Sequence, residues 1–74
     1  MPSANDIYFF RVEGIQDFVR GTIENKEDGC YVLTNVKFVD SQGIKRMGFK
    51  SKDGRLYINM DKIVYFYIPD LPDA

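Results

Sequence analysis

The stretch FVRGTIENKEDGCYVLTNVKF, residues 18–38, decides the fold. From Phe18 to Asn25, Val19, Gly21 and Ile23 alternate with Phe18, Arg20, Thr22 and Glu24. A period of two puts these sets on opposite faces of a strand. Lys26-Glu27-Asp28-Gly29 interrupts the pattern, and Asp-Gly supplies the left-handed backbone that a tight hairpin requires. Cys30 to Asp40 then forms the returning strand. Tyr31 and Leu33 share one phase, whereas Val36 and Phe38 share the other. The phase flips near Thr34-Asn35, which predicts a bulge or a sharp coil there. Gly21, inside the strand opposite, weakens it unless the backbone must bend or be approached closely. A long hairpin bent in this way is the unit of a small β-barrel.

The flanking segments read in the same manner. Ile7-Tyr8-Phe9-Phe10-Arg11-Val12 is aromatic and β-branched and predicts a strand. Met1 to Asp6 is a polar tail or a short helical turn, since Ser3-x-x-Asp6 resembles a capping box. Gly14-Ile15-Gln16-Asp17 offers a tight turn. Ser41-Gln42-Gly43 closes a second hairpin into a strand over Ile44–Lys50. Ser51-Lys52-Asp53-Gly54 is another turn, after which Arg55–Asn59 resumes strand character. Met60-Asp61-Lys62 connects to Ile63-Val64-Tyr65-Phe66-Tyr67-Ile68, the most apolar run. That run does not alternate, so both of its faces are expected to be covered. It is an inner core strand or a strand packed against a neighbouring subunit. Pro69 ends it, because proline donates nothing to a ladder. Residues 69–74 form an acidic tail. The whole reads as an all-β chain: one domain over 1–74, with a strongly bent antiparallel barrel of five or six short strands over 7–68.

With 74 residues and one cysteine, the chain forms no internal disulfide. With no histidine it has no imidazole base and no Cys/His zinc set. No phosphate-loop or dinucleotide fingerprint occurs. These points argue against an enzyme, a metal or a cofactor. A domain this small buries a modest fraction of its surface, which favours support from a partner subunit. No apolar stretch reaches the length of a membrane helix, and Met1–Asp6 lacks the basic flank of a signal peptide. The lone cysteine fits a reducing, intracellular (cytoplasmic) setting.

The layout Val19-Arg20-Gly21-Thr22-Ile23, then Asp28, then Tyr31-Val32-Leu33 resembles the first motif of Sm-like proteins. Ile58-Asn59-Met60-Asp61-Lys62-Ile63-Val64-Tyr65-Phe66 is similar in layout to their second. The likeness covers roughly 7–68 and is nearest to small Sm-like proteins of bacteriophage type. It implies a five-stranded, SH3-like Sm barrel assembled into a homo-oligomeric ring of five to seven subunits. In such rings the last strand of one subunit pairs with the fourth strand of the next. The resemblance also implies binding of RNA or single-stranded nucleic acid, without catalysis, in RNA processing or regulation. The interface would draw on Tyr57, Ile58, Ile63, Val64, Tyr65, Phe66, Tyr67 and Ile68. The uridine pocket does not carry over. Its asparagine position falls near Val32, its Arg-Gly positions at Asn59 and Met60, and its stacking position near Cys30. The alternative is a ring serving as a structural or protein-interaction scaffold.

Net charge is −1, but it is unevenly placed. Four basic and seven acidic residues give −3 over Met1–Gly43; six basic and two acidic give +4 over Ile44–Lys62; two acidic give −2 over Ile63–Ala74. The basic segment makes Lys45, Arg46, Lys50, Lys52 and Arg55, with Tyr31, the candidates for phosphate contact and stacking. The alternative for the cations is a solvated hairpin face that protects an edge.

Overall fold

The computed structural model describes residues 6–70. The expected N-terminal tail or turn (residues 1–5) and the end of the acidic tail (71–74) lie outside them. Among the described residues, six strands run in chain order: β1 Ile7–Val12, β2 Phe18–Glu27, β3 Cys30–Val39, β4 Lys45–Met47, β5 Leu56–Asn59 and β6 Ile63–Tyr67, with a 3-10 turn at Met60–Lys62. All pairings are antiparallel, in the order β4-β3-β2-β1-β6, and β5 also pairs with β3. β4 meets the C-terminal end of β3 and β5 its N-terminal end. The two therefore share one strand position, which gives five positions along a sheet curled into a half-barrel.

The central hairpin forms where the sequence places it, with a tighter turn. Glu27 pairs with Cys30, so only Asp28 and Gly29 remain in the loop. Both have positive φ, 48° and 77°. That two-residue geometry matches the right-handed twist of the flanking strands. The expected phase flip is also present. Asn35 has φ 55°, and the β2–β3 register shifts between Arg20 and Thr22. Gly21 lies at this bend. A Cβ there would come within 3.2 Å of the Thr34 carbonyl oxygen and 3.4 Å of the Leu33 side chain. Only hydrogen fits without moving β3, so glycine permits the close approach that curls the sheet.

The main core lies on the concave side: Tyr8, Phe10, Val12, Val19, Ile23, Leu33, Val36 and Ile58. A second, smaller cluster of Phe9, Phe18 and Val39 lies on the other side. β1 thus buries residues on both faces, and Phe9 and Phe10 are fully buried. Asp40 organises the second hairpin. Its carboxylate accepts from the Gln42 and Ile44 amides, and its carbonyl accepts from Gly43, all at 2.9 Å.

One expectation is corrected and one is narrowed. The fourth strand does not run from Ile44 to Lys50. Only Lys45–Met47 is strand, because the chain leaves the ladder at Gly48 and turns Phe49 against Phe38, ring centroids 6.1 Å apart. Of the two readings of the final strand, the inner core strand does not hold within the single chain. β6 is an edge strand paired with β1 alone among the described residues. Its Val64 is 63% exposed, Tyr65 48% and Tyr67 38%. Its lack of alternation has a local cause: the register with β1 shifts between Arg11 and Val12, where Val64 is the unpaired residue.

Candidate nucleic-acid interface

Antiparallel partners project side chains to the same face of a sheet. The registers pair Tyr67 with Phe9, Phe9 with Arg20, and Arg20 with Lys37. One row therefore crosses β6, β1, β2 and β3 as Tyr, Phe, Arg, Lys. Beside it, Tyr65 pairs with Arg11, Phe18 with Val39, and Val39 with Lys45. Arg11 bridges the halves of this second row, since its guanidinium lies 4.1 Å from the Phe18 ring centroid. The face is aromatic at the β6 end and cationic at the β3–β4 end.

The cationic end holds two local depressions. A depression of about 340 Å³ is lined by Ile7, Arg20, Gly21, Thr22, Asn35, Val36 and Lys37. A second, of about 510 Å³, is lined by Val36, Lys37, Lys45, Gly48, Phe49 and Lys50. They adjoin at Val36 and Lys37. Among the described residues, four cations and no carboxylate line the pair. None of Arg20, Lys37, Lys45 and Lys50 is in an ion pair among those residues. Their charge is therefore open to an anion.

The residues expected from sequence divide. Lys45 and Lys50 lie in this track. Arg46 faces Asp17 at 3.8 Å instead. Lys52 is exposed in the turn after the track. Arg55 is committed elsewhere: its Nε and one terminal nitrogen donate to the two Glu24 oxygens at 2.7 and 2.9 Å. This bidentate bond holds the Glu24 carboxyl below its ordinary range. The Arg55 amide does the same for Asp53 at 3.0 Å. Any stability the Glu24 contact adds is present above glutamate's ordinary range and is lost as pH falls through the depressed value. Solvent exposure of both partners keeps the contribution small.

Tyr31 is half-buried against Phe10 and Phe66, ring centroids 6.2 and 5.7 Å away, and so serves the core. Among the interface candidates, Ile58 is buried in the chain's own core and Ile63 packs against that core. Tyr57, Val64, Tyr65, Phe66, Tyr67 and Ile68 are exposed.

Arg20, Lys37 and Arg11 were not singled out from sequence. The signal for Arg20 was present, because alternation places it opposite Val19 and Ile23 and hence off the concave core. What alternation lacks is the register: Arg20 faces Lys37 because the two-residue loop sets that pairing and the two register shifts between them, at Ile23/Asn25 and at Arg20/Thr22, cancel.

No family model, curated protein or solved structure matches this chain. Among the described residues no helix is long and apolar enough to cross a membrane, and no group of His, Cys, Asp or Glu is placed to hold a metal ion.

Proposed function

We propose that this chain is an Sm-like, ring-forming barrel that binds RNA or single-stranded nucleic acid without catalysis. The carrying observation is the carboxylate-free track of Arg20, Lys37, Lys45 and Lys50 in two adjoining depressions. A polyanion is the ligand that rewards four unpaired cations in a row, because each phosphate contact releases condensed counterions. The bulk charge of −1 does not oppose this, since the acidic residues lie elsewhere. Titration of a labelled mixed-sequence 15-mer at two salt concentrations tests the reading. Affinity is expected to fall with salt, with a log–log slope of roughly −0.7 per phosphate contacted. Absence of binding at micromolar protein and low salt would overturn it.

The ring rests on a separate feature. Among the described residues β6 has a free edge on one side of the sheet, and β4 and β5 have free edges on the other. An exposed aromatic edge strand is a template for further pairing. Joining the final strand of one copy to the β5 edge of the next is a heterologous contact, the kind that builds a ring when the rotation between copies closes. Sedimentation equilibrium is expected to give five to seven times the 8.6 kDa chain mass. A stable 8.6 kDa particle would remove the ring.

The second reading is the same ring as a protein-interaction scaffold. Its support is that the uridine-pocket positions implied by the Sm-like resemblance fall near Cys30 and Val32 and at Asn59 and Met60, residues that do not match such a pocket. A ring of the expected mass that binds no oligonucleotide would favour it.

A further inference from the structure

We propose that the aromatic end of the same face is a base-stacking platform, so that the preferred ligand is a single strand with accessible bases. This rests on the nucleic-acid reading above and specifies its ligand. Phosphates would run along Arg20, Lys37 and Lys45, and bases would stack on Tyr65 and Tyr67. The sequence alone places both tyrosines among the candidates for the subunit interface.

Three observations carry the proposal. The first is placement. Tyr67 begins the row that continues through Phe9 and Arg20 to Lys37, so an aromatic surface and a cation track share one face. The second is support. Phe18 lies 6.3 Å from Tyr65 and 6.1 Å from Tyr67, and Phe9 lies 5.8 Å from Tyr67 (all between ring centroids). Phe9 and Phe18 are buried, so they form a floor under two exposed rings. Rings buttressed in this way lose little freedom when a base lands on them. The third is spacing. Tyr65 and Tyr67 are alternate residues of one strand, with centroids 6.1 Å apart and planes 30° from each other. They offer two separate π-faces side by side.

Charge selects the occupant. A neutral or proline-rich peptide would fill the aromatic end and leave Arg20, Lys37 and Lys45 unanswered. A duplex would answer the cations and leave the tyrosines bare, because its base faces are stacked internally. Only a single strand offers both phosphates and free base faces. Arg11 adds positive charge beside Tyr65 at a fixed position. Its guanidinium is anchored on Phe18 and donates to the Gln16 carbonyl at 2.6 Å. Pairing through the free edge of β6 would use its backbone groups, which leaves side chains on this face available in a ring.

The test compares three probes on the wild-type protein: a mixed-sequence 15-mer, an abasic strand of equal length, and a blunt duplex of the same sequence. The base-bearing single strand is expected to bind at least about ten-fold tighter than either control, given the usual strength of base–aromatic stacking. The pair Tyr65→Leu and Tyr67→Leu together is expected to lose about ten-fold or more, with the salt slope unchanged. Tyr67→Phe, which keeps the ring, is expected to stay within about two-fold, since stacking needs only the π-face. Equal affinity for the abasic strand, or full affinity in the double leucine variant, would overturn the platform while the cation track still stood. Failure of the underlying reading is distinct: no probe, abasic or not, would bind at low salt. The abasic comparison uses only wild-type protein, so a folding defect in a variant cannot decide the outcome.

Discussion

Replacing Arg20, Lys37, Lys45 and Lys50 together with alanine is expected to weaken oligonucleotide binding by roughly 10²–10³-fold at 0.1 M salt. The size follows from counterion release. Each phosphate neutralised on a single strand contributes about 0.7 to the log–log salt slope, so four contacts contribute about 2.8. Over the decade between 0.1 M and the 1 M reference, that is close to three powers of ten. The salt dependence itself should flatten by the same amount, which a general loss of fold would not produce. All four are half-exposed or exposed, and none belongs to the core clusters, so the circular dichroism spectrum is expected to stay unchanged. Lys26 and Lys62 serve as a control, because neither lines the track. Their double alanine variant also removes positive charge, and it is expected to lose less than about ten-fold, as a surface-wide field alone is screened over about 10 Å at this salt. A quadruple variant that binds within ten-fold of wild type would refute the track as the binding surface.

The second large effect concerns stability. Phe10→Ala is expected to cost about 3–5 kcal/mol, as buried Phe-to-Ala changes usually do. For a chain of 74 residues the whole folding free energy is about 4–11 kcal/mol. One ring therefore carries a large share of the margin. Phe10 has no exposed surface, and it stacks on Phe66 with centroids 5.2 Å apart and planes 20° from parallel. It also contacts Tyr8 and Tyr31, at 6.1 and 6.2 Å between centroids. Removing it loosens β6 from β1 as well as opening the core. Urea titration at fixed protein concentration measures the change, since association adds to the apparent stability of a ring. A loss below about 1.5 kcal/mol would show that the half-barrel closes over the gap, the collapse that keeps some core truncations cheap.

Much of the fold was legible because its signals are local. Asp28-Gly29 announces the central turn through the left-handed backbone both residues adopt. The phase flip at Thr34-Asn35 announces the bulge because alternation counts residues, and an extra residue breaks the count. The fourth strand was overextended because Phe49 is apolar. Its burial comes from a turn of the chain onto Phe38, which hydropathy does not separate from strand burial. The aromatic run of the final strand left an inner core strand and a subunit contact open, and hydropathy does not separate them; within the chain it lies at the sheet edge, where the Tyr65 and Tyr67 rings rest on Phe18 and remain exposed.

The candidate site was less legible. The basic segment led to Lys45 and Lys50, which lie in the track, and to Arg46 and Arg55, which face Asp17 and Glu24. A charge count cannot distinguish a free guanidinium from a paired one. Glu24 is 31 residues from Arg55 in the chain, and nothing local links the two.

By itself the sequence determined an all-β chain, its central hairpin, the bend at Gly21 and the lack of disulfide or histidine chemistry. These depend on residue type and on neighbours a few positions away. Only the tertiary structure decided which cations stand together and which aromatic rings stand beside them. Arg20 and Lys37 become neighbours through a register set by a two-residue turn and two offsetting register shifts, and a net slip of one residue would send either to the opposite face. The face that joins Tyr65 and Tyr67 to that track exists because β6 pairs with β1, a contact between the two ends of the chain.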